Sequence, residues 1–145
     1  KDGQDKDARW SMMMASTEGA MAFSKGLGAV HSMSHAAGAN QVLRLHHGTL
    51  NAVILPSVLR FNQNYVGNKY SRILRAMGKN QSIDLANEIE KLNEKIGMPN
   101  SLGEMGVTED MIPELIAHAM TDPSNITTPK VPTLDEWEQL FLTAI

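Results

Sequence analysis

Apolar and small residues recur at helical spacing along nearly the whole chain, and no stretch alternates convincingly at period two. Ala8, Met12, Ala15, Gly19 and Ala22 predict a first helix over about Asp5 to Phe23. Its inner face is built of small side chains, which let a neighbouring backbone come close. The pattern therefore predicts a helix pressed into the middle of a bundle, with Met12, Met13 and Met14 as core filling. Gly26 and Gly28 interrupt it. A second short helix follows over about Leu27 to Ala39, then a loop over Asn40 to His46. A third helix starts near Gly48 or Thr49 and runs to about Phe61. Its segment Leu50 to Leu59 is apolar almost all round, as in a helix buried on every side. Pro56 should kink or divide it, because the ring removes a backbone donor and crowds the preceding turn.

Beyond Arg60 the helices become amphipathic. Tyr70, Ile73, Leu74 and Met77 mark one, stopped by Gly78. Leu85, Ile89, Leu92 and Ile96 mark the next, with Glu88, Glu90, Lys91 and Glu94 on the wet side and Gly97 and Pro99 closing it. Thr108, Glu109 and Asp110 open a helix carrying Ile112, Leu115, Ile116 and Ala119, its acidic first turn complementing the helix dipole. Asp122 to Pro132 is a loop rich in proline. Thr133 and Glu136 then form a capping box for a last helix with Leu134, Trp137, Leu140, Phe141 and Ala144 inward. The expected fold is a single all-α domain, a bundle of about six or seven helices.

Composition adds mainly exclusions. The chain has 145 residues, a net charge of −3 and no cysteine. Disulfides and thiolate metal sites are thereby ruled out, and with no basic excess nothing suggests nucleic acid or an anionic membrane as partner. The polar N-terminus lacks the apolar run of a signal peptide, and no window approaches the roughly 20 apolar residues of a membrane span. A cytoplasmic protein is expected.

The charge distribution is less ordinary. Between Ser11 and Leu59 the only formal charges are Glu18, Lys25 and Arg44, yet His31, His35, His46 and His47 all lie there. A buried imidazole needs hydrogen bonds or a metal. His31 and His35, four apart, share a helix face with Cβ atoms roughly 6 Å apart, and His47 stands at the entry to the next helix. A bare HxxxH is common by chance, and Ser32 occupies the place of the glutamate in the zincin motif. No Asp or Glu lies near the four histidines in sequence; the nearest is Glu18. Glu114 and His118 form another four-apart pair, on an amphipathic helix where a solvated pair is expected. From spacing alone, a metal site and ordinary hydrogen-bonded histidines both remain open, and a metal site would be half built.

The run AFSKGLGAVHSMSHAAGA, continued by LHHGTLNAVILPSVLRFN, resembles the C-terminal helical domain of the iron-containing (group III) alcohol dehydrogenases, a dehydroquinate-synthase-like fold. The likeness continues through IGMPNSLGEMGVTEDMIPELIAHAMTD to TTPKVPTLDEWEQLF, and its most specific part is GLGAVHxxxH followed by HGxxNAxxLP. The resemblance implies NAD(P)-linked alcohol oxidation or the reverse, with a small-molecule alcohol or aldehyde as substrate. It implies a divalent metal, Fe2+ or Zn2+, held by one Asp and three His in a cleft between two domains. By position His31 and His47 resemble two of the metal ligands. His35 resembles a histidine beside the metal and nicotinamide that relays protons. Phe23 and Leu27 fall in a segment lining the substrate pocket.

The departures are specific. Ala36 replaces a common proline, the His35–His47 spacing is longer than in some members, and His46 stands where a proline is common. The family's Asp and first His belong to a DxxxH that this sequence lacks, as it lacks the N-terminal dinucleotide-binding domain. The chain therefore reads as the C-terminal part of a longer enzyme, inactive alone. A non-catalytic helical scaffold, or a metal-binding bundle that completes its site between subunits, are the alternatives. The charge-poor half should expose apolar surface, so self-association into a homo-oligomer is expected.

Overall fold

The computed structural model describes residues 2–145. Seven α-helices form, with no strand among the described residues: α1 (Lys6–Ala22), α2 (Ala29–Gly38), α3 (His47–Asn62), α4 (Lys69–Ala76), α5 (Leu85–Ile96), α6 (Ile112–Thr121) and α7 (Leu134–Ala144). Short 3-10 turns join several of them. The all-α class stands as the periodicity predicts.

Local signals account for most boundaries. Asp84 caps α5 by accepting from Asn87 N, and Gly97 closes it in the left-handed conformation at φ +75°. Thr133 and Glu136 make the reciprocal capping box of α7. The core lies where α2, α3, α6 and α7 meet, with Met33, Leu50, Ile54, Ala119, Trp137 and Phe141 fully enclosed.

Four expectations need correction. No residue of α1 is buried, and Met12 and Met13 are 68% and 64% exposed, so they fill no core. The helix forms from local causes: Asp5 caps it by accepting from Asp7 N and Ala8 N, both at 3.0 Å. Periodicity specifies a face but supplies no partner for it. Of the two outcomes expected of Pro56, a kink or a division, the division does not occur: α3 runs through it. The missing proline donor frees the carbonyl of Ala52, four residues earlier, and Asn93 Nδ2 of α5 donates to that oxygen at 2.7 Å.

Glu88, assigned to the wet side, is buried between Lys79 Nζ at 2.8 Å and Lys91 Nζ at 2.7 Å. Hydrogen bonds from the two ammonium groups outweigh burial and hold its carboxyl below the usual carboxylate range. Leu92, Ile96 and Leu134, read as inward, are exposed; the buried residues of α5 are Leu85, Ala86 and Glu88. No helix among the described residues is long and apolar enough to cross a membrane.

Candidate metal centre

The two site-bearing helices are aligned by the loop between them. Asn40 Oδ1 accepts from Val42 N and Leu43 N, an Asx turn that starts the reversal. Arg44 takes φ +48° within it. His46 then caps α3: its Nδ1 accepts from Thr49 N at 3.3 Å and lies 3.1 Å from Thr49 Oγ1. His47, the first residue of α3, is thereby free to face α2.

His31, His35 and His47 come together. Ring centroids are 5.3 Å apart for His31 and His47, 5.7 Å for His31 and His35, and 5.2 Å for His35 and His47, the last pair nearly parallel at 17°. Asn51, one turn after His47, reaches both outer rings. Its Nδ2 lies 3.0 Å from His47 Nε2 and 3.4 Å from His31 Nε2. The amide NH2 has two hydrogens, one for each ring, so with its nitrogen placed there Asn51 donates to both and both Nε2 atoms accept on the same side of the cluster. Ser34 Oγ donates to the His31 carbonyl at 3.1 Å and sits 3.4 Å from His47 Nδ1, which can donate to it. That arrangement suits a His47 hydrogen on Nδ1 with Nε2 as a lone pair, the form a metal ligand needs.

Electrostatics agree. Burial, then the neighbouring imidazoles His47 and His35, push the His31 pKa down, with Asp122 opposing. Burial followed by His35 and His46 lowers that of His47. Both rings are thus kept neutral, the ligating state. The donor set suits a divalent cation as far as it goes. Two imidazoles are fewer than zinc or iron requires, and among the described residues no three His, Asp or Glu side chains are placed to hold a metal by themselves.

Beside the rings lies an open, largely apolar cavity of about 470 Å³, lined by Phe23, Leu27, His31, Asn51, Leu55 and Leu59 among others. Phe23 sits in the 3-10 turn after α1, and its ring meets His31 edge-on at 5.8 Å. Leu27 is half-buried. Glu114 and His118 are both exposed, as expected of a solvated pair.

Sequence reasoning missed two residues. Asn51 had a usable signal, since it stands four residues after His47 on one helix. Asp122 had none. Its Oδ2 lies 2.9 Å from His35 Nδ1 across 87 residues of chain, so a carboxylate does stand at the histidine cluster although none is near in sequence. The dipeptide Asp122-Pro123 reads as a turn, and only the packing of that turn against α2 brings the carboxylate in.

The domain is thus all-α, with His31, His35 and His47 clustered and His31 lining an apolar cavity. All residues 1–145 match the Fe-containing alcohol dehydrogenase family, C-terminal, and the chain belongs to that family as its C-terminal domain. It is 44% identical to 4-hydroxybutyrate dehydrogenase of Cupriavidus necator over 97% of its length and 39% of that protein's. It is 36% identical to lactaldehyde reductase of Escherichia coli (strain K12), over 97% of this chain and 38% of the relative. Among solved structures it matches a 1,3-propanediol oxidoreductase with TM-score 0.74 and 31% identity, covering 82% of this chain and 33% of the other. The iron-containing alcohol dehydrogenase of Thermococcus thioreducens matches with TM-score 0.69 and 33% identity, covering 81% and 32%. The chain thus spans about two fifths of the length of the curated relatives it matches.

Proposed function

We propose that this chain supplies the metal-binding and substrate-pocket half of a metal-dependent, NAD(P)-linked dehydrogenase acting on small alcohols and aldehydes. The observation that carries the reading is that His31 Nε2 and His47 Nε2 both approach the one amide nitrogen of Asn51. In this reading His31 and His47 are two ligands of a divalent metal, Fe2+ or Zn2+, and the remaining ligands and the dinucleotide belong to a separate N-terminal domain outside these 145 residues. Such a metal, when bound, supplies Lewis-acid polarisation of the substrate oxygen. The chain's own residues do the rest. Oxidation of an alcohol sends a hydride from its carbon to the nicotinamide and a proton from its oxygen to a base. His35, with a side chain 42% exposed, takes that proton and hands it to solvent. Phe23 and Leu27 keep water from the hydride path. The chain is also similar to an NAD-dependent methanol dehydrogenase of Bacillus methanolicus and to an NADPH-dependent butanol dehydrogenase of Clostridium saccharobutylicum, so the choice of dinucleotide does not follow from the family.

Titration with Zn2+ or anaerobic Fe2+ tests the ligand assignment. The chain alone should bind weakly, lose that binding in His31→Ala, and show no turnover of aldehydes with NADH or NADPH. A chimera carrying this chain in place of the matching part of the C. necator 4-hydroxybutyrate dehydrogenase should turn over. Clear activity of the chain alone, or binding indifferent to His31→Ala, overturns the reading. The exposed Trp10, Met12, Met13, Met21 and Phe23 support self-association of the chain, and sedimentation velocity should find a dimer or larger; a clean monomer contradicts that part.

A further inference from the structure

His35 and Asp122 meet by a route that has the marks of preorganisation. Exposed ion pairs between long side chains are worth little and wander. Asp122 is short, its side chain is only 15% exposed, and it is held independently of His35. Its Oδ1 accepts from Ser124 N at 2.8 Å, which caps the 3-10 turn Pro123–Thr127. That turn is fastened by one bond to α2 and by another to the segment leading into it. Ser32 Oγ donates to the buried Asn125 Oδ1 at 2.8 Å, one helical turn before His35. Thr127 Oγ1 donates to the Leu27 carbonyl at 3.1 Å, just before α2 begins. The Asn125 amide also donates to the Ala119 carbonyl at the end of α6. The carboxylate therefore stands at a fixed place over α2 before any imidazole is considered, and Oδ2 is left free to meet His35 Nδ1 at 2.9 Å.

We infer that Asp122 is the positioning residue for His35, fixing its hydrogen on Nδ1 and leaving Nε2 as the open lone pair beside His31 and His47. A carboxylate has no hydrogen to give when ionised, so Nδ1 must be the donor across that contact. The hydrogen bonds from Ser124 and His35 hold Asp122 ionised against the cost of burial. The His35 Nε2 makes no hydrogen bond to any described residue, and the ring stacks on His47. An imidazole so held has one nitrogen committed and the other available, the division of labour by which a carboxylate serves a histidine base without itself taking the proton. The inference rests on the reading of His35 as the proton carrier, and adds the group that makes it one.

The test reads the tautomer directly, by 15N-resolved NMR of the histidine rings in the metal-free chain, well above the pH where imidazoles are charged. His35 should carry its hydrogen on Nδ1 by an excess of about tenfold or more, the scale of a hydrogen bond to a charged group. Asp122→Asn keeps the side-chain oxygen that caps the turn but offers an amide to the ring, and should shift His35 toward the Nε2–H form. Asp122→Glu should restore the Nδ1–H form at least in part. A role confined to stability would lower the melting point of Asp122→Asn and leave the tautomer alone. The inference fails if His35 of the unsubstituted chain carries its hydrogen on Nε2, or if its tautomer is the same in Asp122→Asn. Neither result bears on the metal titration of His31→Ala, so the two readings stand or fall separately.

Discussion

His47→Ala should weaken divalent-metal binding by more than about 100-fold, the upper figure for losing only a supporting group around a ligand, while His46→Ala should leave it unchanged. The two neighbours differ in what their nitrogens already do. His46 spends Nδ1 on the Thr49 amide at the start of α3, so its loss costs a cap, about 0.5–2 kcal/mol of stability. His47 has Nδ1 beside Ser34 and Nε2 turned to the same point as that of His31. Removing it leaves a single imidazole on this chain, and one monodentate donor holds a cation poorly. Metal retained by the chimera against a competing chelator measures the difference. Equal loss in the two variants would mean that the cap and the ligand cannot be separated, and a larger loss in His46→Ala would exchange their roles.

Gly26→Ala should destabilise the chain by about 2–6 kcal/mol, a large share of a typical margin of about 5–15 kcal/mol. Two costs combine. Gly26 sits at φ +92°, a conformation that strains any residue with a Cβ by about 1–3 kcal/mol. A Cβ there would also fall inside the contact distance of Thr127 Oγ1, Cγ2 and Cβ, and overpacking of that kind costs about 1–3 kcal/mol. The clash pushes on the turn that carries Asp122, so His35 should lose its partner as the chain loses stability. Urea unfolding reads the first effect and the His35 tautomer the second. Thr127→Gly in the Gly26→Ala background should relieve the steric part, less the lost bond from Thr127 Oγ1 to the Leu27 carbonyl, and leave the backbone strain. A Gly26→Ala variant as stable as the parent would show that the turn is not packed on Gly26 as described.

The limits of the sequence are clearest where a residue's partner is distant. Pro56 looked like a break because the sequence shows the lost donor and not Asn93, which takes over the freed Ala52 carbonyl. Glu88 looked solvated because its helix face is charged, yet Lys79 from outside the helix closes over it. In α1 the apolar spacing was genuine and the inference of burial was not: the helix carries its own N-cap, and no residue of it is buried. Leu92 and Ile96 make the same point within α5.

What the sequence determined by itself was the local grammar: about six or seven helices with most of their stops and caps, and the placement of His31, His35 and His47 on elements that can face one another. Those features arise from interactions within a turn or two of chain, which residue order encodes directly. The tertiary structure alone decided that Asn51 bridges two rings, that His46 caps while His47 joins the cluster, and that a carboxylate arrives at His35 from Asp122. Such pairings depend on how helices pack, and packing is settled by the summed shape of many side chains rather than by any spacing along the chain.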